Sequence, residues 1–215
     1  MTGSRFAPFT GVLFVILWIA ATFVARIPNS GDGASAAAAY YTDSNHRWMM
    51  VVSAYMFVIA ALVFLCFLVS LRGRLFAAEG GDAPLTTLAF ASGAVAVALM
   101  LAGVFAMAAV PAGIAFGSVD APTEGNITLF TQQIGFGMVL VGAMFAAALT
   151  IFTTSIITRR TGALPAWTAW LGFVAAVVLL FAAMWIPQIA LLIWVIAIGL
   201  VLRKPAPAPA TAYTR

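Results

Sequence analysis

Every charge in this chain falls between or beyond its apolar runs, and none falls inside them. Five uncharged stretches result: Phe9–Ala25, Trp48–Leu71, Leu85–Phe116, Leu129–Thr158 and Leu164–Leu202. A helix crosses a hydrocarbon core about 30 Å thick with about 20 apolar residues, and each run meets or approaches that length. Of the 215 residues, 64% are hydrophobic and 7% charged. Water-soluble domains carry about 45–50% apolar and about 25% charged residues. An interior bounded by water needs a polar skin that this chain cannot supply. Disorder is excluded by the same figures, because disordered chains are poor in apolar residues. The sequence therefore predicts an all-α, polytopic transmembrane helix bundle.

The number of crossings turns on the last run. Leu164–Leu202 spans 39 residues, about 58 Å as one helix, which overshoots the hydrocarbon roughly twofold. Its natural break is Trp185-Ile186-Pro187-Gln188, where proline removes a backbone donor and disfavours helix at the residue before it. Six helices are then expected, at about residues 9–26, 48–71, 85–116, 129–158, 165–184 and 187–203. With the N-terminus inside, Arg5, Arg72, Arg74, Arg159, Arg160, Arg203, Lys204 and Arg215 lie on the cytoplasmic side, and only Arg26 and Arg47 lie outside. Asp32, Asp43, Asp120 and Glu124 lean outward, with Glu79 and Asp82 inside. This positive-inside bias predicts six crossings with both ends in the cytoplasm. Residues 1–204 form one six-helix domain in this reading, and 205–215 a Pro/Ala-rich cytoplasmic tail. Phe9–Ala25 exceeds a signal-peptide core of about 7–15 residues and is expected to stay as a first helix.

The chemistry the chain lacks is informative. No ionisable side chain lies at the centre of a predicted helix, where proton- and ion-coupled transporters place theirs. A retinal Schiff base needs a buried lysine, and the one lysine is Lys204 at a helix end. Haem held by two histidines is impossible within a chain whose single histidine is His46. No phosphate-binding glycine loop, paired-cysteine motif or HExxH helix is present, and the lone Cys66 has no basic neighbour in sequence. No catalytic constellation is legible and no cofactor is implied.

Polar groups gather instead at the two interfaces. The outer connection from Pro28 to Arg47 carries Tyr40, Tyr41, Asp43, His46 and Arg47, followed by Trp48. Its alanine-rich core predicts a short helix, capped near Asp32 or Ser35 and lying on the membrane surface, with Tyr40, Tyr41 and Trp48 among the headgroups. Gln132 and Gln133 open the fourth crossing and Gln188 follows the last break, so these side chains could share an outward-facing polar vestibule. Tyr40, Tyr41, His46, Arg47, Gln132, Gln133 and Gln188 are the candidate ligand-binding residues. The same groups also suffice for the aromatic belt and wetted loops of any helix bundle. A metal alternative joins His46 to Met49 and Met50, which follow it by three and four residues, since imidazole with thioether suits Cu(I). A zinc alternative joins His46 and Asp43 to an acid of the second outer loop.

Small residues offer helix-packing faces. Ala98, Ala102 and Ala106 share one face of the third crossing, and Gly135, Gly142 and Ala146 one face of the fourth, so both faces are expected to form the central seam. Thr150, Thr153 and Thr154 form a hydroxyl stripe whose members can bond carbonyls of the preceding turn, with no matching stripe expected elsewhere.

Ala38-Ala39-Tyr40-Tyr41 leading to His46-Arg47, Phe67-Leu-Val-Ser-Leu-Arg-Gly-Arg-Leu75 and Leu164-Pro-Ala-Trp-Thr-Ala-Trp-Leu-Gly172 carry a resemblance. In these segments the chain resembles a broad group of uncharacterised multi-pass membrane proteins from high-GC, mostly actinobacterial, bacteria. The resemblance implies a bacterial inner-membrane protein and gives weight to the Tyr-Tyr/His-Arg loop. The expectation is a non-enzymatic binding module or accessory subunit, with membrane lipid or other membrane subunits as partners and no nucleic acid. The alternatives are a passive channel or small-solute permease, and a metal- or haem-binding redox subunit built on His46.

Overall fold

The computed structural model describes residues 7–28, 31, 33–117, 119–122 and 124–203. Arg5, Asp32 and the tail expected at 205–215 lie outside the described residues. Among the described residues, all regular structure is helical. The helices are α1 (Ala7–Val24), α2 (Gly33–Tyr40), α3 (Ser44–Glu79), α4 (Pro84–Ala115), α5 (Gly125–Thr161), α6 (Ala166–Leu179) and α7 (Ile189–Leu202). A π-helical segment, Gly137–Ala143, interrupts α5. By length and composition α3, α4 and α5 can each cross a membrane, while α1, α6 and α7 are shorter apolar helices.

Local chemistry sets the helix ends. The Asp43 side chain accepts a hydrogen bond from the Asn45 N–H at 2.7 Å and starts α3. Ala83, just before α4, has a positive φ of 44° and offers no cap. The Glu79 carboxylate caps α4 instead, accepting from the N–H groups of Leu85 (3.0 Å) and Thr86 (2.8 Å) and from the Thr86 hydroxyl (2.6 Å). A carboxylate at a helix N-terminus also meets the positive end of the helix dipole. Gly162, at φ 67°, ends α5 just after Arg159 and Arg160.

The six longer helices close into a ring in which α1 meets α3, α3 meets α4, α4 meets α5, α5 meets α6, α6 meets α7 and α7 returns to α1. An aromatic ladder fills the α1–α3–α7 side. Phe14 stacks on Phe64 at 4.8 Å between ring centroids, Phe64 lies 6.0 Å from Phe67, and Phe67 meets the edge of Trp194 at 6.2 Å. The outer face is apolar too, with Phe9, Phe23, Tyr55, Phe105, Phe130 and Trp170 all exposed. Surface of this kind is disfavoured in water and at home in lipid.

The α4–α5 contact is close at the level of two facing glycines. A Cβ placed on Gly103 would lie 2.8 Å from the Gly135 carbonyl oxygen, and one on Gly135 would lie 2.5 Å from the Gly103 carbonyl oxygen. The two backbones come within contact of each other, flanked by the side chains of Val139 on one side and Met107 on the other. The expected small-residue seam is corrected on both helices. Ala98 and Ala102 are exposed, and α4 turns Ala96, Met100, Gly103 and Met107 inward instead. On α5, Gly135 is buried, but beyond it the buried small residues are Ala143 and Ala147 rather than Gly142 and Ala146. The π segment inserts one extra residue into the helical register, which moves the buried face on by one position.

The last apolar run departs from expectation in length. α6 ends at Leu179 instead of reaching residue 184, and two 3₁₀ turns, Ala182–Met184 and Ile186–Gln188, join it to α7. Trp185 takes a positive φ of 69° and Pro187 disfavours helix before it, so the chain cannot stay helical here. α6 and α7, at 14 residues each, are about 21 Å long.

The Gly103–Gly135 crossing generates a test. Gly103→Leu should lower the thermal midpoint of the detergent-solubilised protein, with overpacking costing about 1–3 kcal/mol or more. Gly137→Ala, where no atom lies within 4 Å of a new Cβ, should leave the midpoint unchanged or raise it slightly. Equal midpoints for the two variants would remove the crossing from the account.

Candidate functional site

The Tyr-Tyr/His-Arg loop is docked rather than spread on a surface. α2 leans on the start of α5, where Gly125 meets the Ala34 carbonyl and the Ala38 N–H so closely that a Cβ would overlap them. The expected short helix is present as α2, mostly exposed and held by this one contact face. Tyr41 is 3% exposed, and its hydroxyl donates to the Arg26 carbonyl at 3.0 Å. It clusters with Met50, Met107 and Val110. Tyr41 is therefore a structural anchor and does not stand among headgroups. Burial pushes its phenol well above the ordinary value of 10.0, with the neighbouring Tyr40 adding to the effect. Burial also raises Tyr40, which lies in a more open position.

His46 stacks flat on Tyr40, with ring centroids 4.3 Å apart and planes at 10°. Its Nδ1 lies 3.3 Å from the Tyr40 carbonyl oxygen and 4.0 Å from the Asp43 carboxylate. Arg47 donates through Nη1 to the Tyr41 carbonyl at 3.1 Å. The four candidate residues of this loop thus hold one another and the loop backbone. Trp48 is half-exposed and meets the Phe116 ring edge-on at 5.9 Å. Met50 belongs to the Tyr41 cluster and Met49 is half-buried. Among the described residues no three His, Cys, Asp or Glu side chains come together, so the zinc alternative has no ligand set there.

The glutamines separate. Gln133 is exposed on α5. Gln132 is buried and its amide nitrogen donates to the Pro28 carbonyl at 3.4 Å, while its amide oxygen has no protein partner. Gln188 is 8% exposed and accepts from the Trp18 indole N–H at 3.4 Å, joining the first and last helices. Gln188 also lines a cavity of about 30 Å³ together with Trp18, Phe57, Met107, Phe136 and Trp185.

Three features converge on that cavity. Val139 and Leu140 of the π segment form part of its wall, and π segments recur at functional sites. Trp185 holds its ring edge-on to Phe136 at 5.7 Å from a backbone conformation that bulky residues rarely adopt, and such strain clusters at ligand clamps. The non-helical backbone at 180–188 adjoins it, and inside a bilayer such backbone is tolerated only where it is buried in protein or lines a cavity. Of this site, sequence reading found Gln188 and the break around Trp185. It missed Trp18, Phe57 and Phe136, because aromatic residues in apolar runs look alike whether they face lipid or a cavity.

A second polar zone sits between α4 and α5. The Ser92 and Thr150 hydroxyls lie 2.9 Å apart, and Thr150 also donates to the Ala146 carbonyl. Thr150 thus bonds the preceding turn as expected, and Ser155, outside the expected stripe, donates in the same way to the Ile151 carbonyl, whereas the expectation fails at Thr154. Thr154 and Thr158 have buried hydroxyls with no protein partner. Contrary to expectation, α4 does face the stripe with polar groups, through Thr86 and Ser92.

The Tyr41 burial gives a pH test. Its folded-state value lies above the unfolded one, so its contribution to stability is complete below about pH 10 and is lost as pH rises beyond it. The thermal midpoint should fall in that alkaline range, and Tyr41→Phe should remove most of the fall. Tyr41→Phe should also cost about 1 kcal/mol near neutral pH by orphaning the Arg26 carbonyl. An unchanged alkaline slope in the variant would contradict the assignment.

Comparison with protein-family models, with characterised proteins and with solved structures finds no match to this chain.

Proposed function

We propose that the chain is an integral protein of a bacterial cytoplasmic membrane, crossing six times with both ends inside, and that it binds an apolar, lipid-like ligand from the outer leaflet without catalysis. The aromatic cavity between Trp18, Phe136, Trp185 and Gln188 carries this reading. Its wall is mostly apolar, with polar groups only on Gln188, Thr22 and the two indoles of Trp18 and Trp185, and the Thr22 hydroxyl is already spent on the Trp18 carbonyl. A mostly apolar pocket with a few placed polar groups suits a hydrophobic molecule with a small polar end. Gln188 and the Trp18 indole already bond to each other, so a ligand's polar group would exchange with that bond. A cavity of about 30 Å³ admits only a few ligand atoms. The half-exposed Trp185 at its rim is the group that must swing for more to enter.

Six crossings are supported by the closed ring of six apolar helices and by charge. Arg72, Arg74, Arg159, Arg160 and Arg203 fall at the ends of α3, α5 and α7, and Arg26 and Arg47 flank the α1–α3 connection. At about 21 Å, α6 and α7 leave their connection at the depth of the outer acyl chains, where a lipid-like ligand would enter.

The test is native mass spectrometry of the protein extracted gently from its own membrane, with identification of any retained molecule. The wild type should carry a substoichiometric to stoichiometric apolar molecule. Trp185→Gly relieves backbone strain of about 1–3 kcal/mol and removes the rim, so it should keep its thermal midpoint and lose the ligand. Gln188→Leu should retain less ligand as well. A wild type that is consistently bare, or retention untouched by both substitutions, would sink the reading.

A further inference from the structure

The arginine-rich end holds a cation that the ligand-binding reading leaves unused. Arg72, near the end of α3, is exposed, and its guanidinium lies over the rings of Phe76 and Phe90 at 5.8 and 5.5 Å from their centroids. Among the described residues no carboxylate lies within ion-pair distance of it. Two aromatic faces therefore fix its position while leaving its five donors unneutralised. Beside it lies a cavity of about 10 Å³, lined by Arg72, Thr86, Thr150 and Thr154. Thr154 is 1% exposed, and its hydroxyl is one of the few buried polar groups with no partner. A buried donor left unpaired is costly, and Thr154 belongs to the wall of a cavity that has room for about one oxygen-sized group.

The surroundings select an anion. Of the two acids at this end, Glu79 is already held by two backbone N–H groups and the Thr86 hydroxyl at the start of α4. Arg74, Arg159, Arg160 and Arg203 raise the local positive potential, against Glu79 and Asp82 alone at this end. Exposed Val69, Phe76 and Leu88 offer an apolar surface beside the site, which suits an acyl chain.

We propose that Arg72 and Thr154 form a headgroup site for an anionic phospholipid. The phosphate sits on the Arg72 guanidinium at the mouth, one of its oxygens enters the small cavity to accept from the Thr154 hydroxyl, and the acyl chains lie along α3 and α4. Charge-assisted contacts of arginine with phosphate are the strong members of their class, and basic pockets between transmembrane helices on the cytoplasmic side bind anionic headgroups. The site is separate from the aromatic cavity and rests on membrane insertion alone.

The experiment titrates the full chain in mild detergent with phosphatidylglycerol or phosphatidylcholine and reads bound lipid by native mass spectrometry. Phosphatidylglycerol should bind about tenfold more tightly than phosphatidylcholine. Arg72→Gln should erase that preference, Arg72→Lys should keep part of it, and Thr154→Val should weaken phosphatidylglycerol binding several-fold. Arg159→Ala, whose guanidinium rests on Trp170 at 5.3 Å, serves as the equal-charge control and should leave the preference in place. Helix content by circular dichroism checks that each variant folds. Equal binding of the two lipids by the wild type would overturn the proposal. So would equal losses in the Arg72 and Arg159 variants, which would reduce the effect to diffuse charge. Inorganic phosphate competing at the lipid's own concentration would show an anion site with no lipid selectivity, and would overturn it too. Resistance of the chain to alkaline extraction from membranes reads insertion separately, so failure of this site and failure of the membrane reading stay distinguishable.

Discussion

The contact between the backbones of Gly103 and Gly135 governs the rest of the bundle. Lipid tails are as apolar as leucine, so helices in a membrane gain little by hiding apolar side chains from their solvent. They gain by close approach, where many weak dispersion contacts accumulate. Two glycines facing each other allow an approach that no other residue pair permits. Immediately beyond Gly135, α5 enters its π segment, and the extra residue turns Val139 and Leu140 toward α4 and the aromatic cavity. The crossing, the register change and the cavity wall are thus consecutive along one helix.

The other wall comes from the opposite end of the chain. Trp18 of α1 reaches Gln188 at the start of α7, and Phe136 meets Trp185 in the connection before it. The cavity therefore forms only when first, middle and last helices close their ring. Both helices flanking that connection are short, and their shortness places irregular backbone and a buried amide where a continuous helix would have presented neither. Inside a bilayer, backbone of this kind is tolerated where it is buried in protein or lines a cavity, and here it adjoins the aromatic cavity.

The helices, their order and the break around Pro187 were legible in the sequence because charge and proline mark boundaries physically. The inward faces were not. In water a helix shows its buried side by polarity, but here Ala98 on the lipid side and Ala96 in the core carry the same side chain. A one-residue π insertion leaves no mark in composition, so the seam expected through Gly142 and Ala146 appears one position later at Ala143 and Ala147. The outer loop was legible as a cluster of polar and aromatic groups, yet the sequence assigned Tyr41 to the surface. Its burial comes from packing against Met50, Met107 and Val110, with its hydroxyl on the Arg26 carbonyl, contacts between distant parts of the chain that no local pattern announces.

The Gly103–Gly135 crossing sets the position of the aromatic cavity, because Val139 and Leu140 of its wall follow Gly135 directly on α5. The most direct measurement is the amount of apolar molecule retained by Gly103→Ala protein, read by native mass spectrometry beside the wild type. One added methyl should push α5 away from α4 and displace Val139 and Leu140, leaving a helical, membrane-extracted protein with its retained molecule lost or sharply reduced. Retention at the wild-type level in a folded Gly103→Ala protein would contradict the account, because the cavity would then be independent of the crossing.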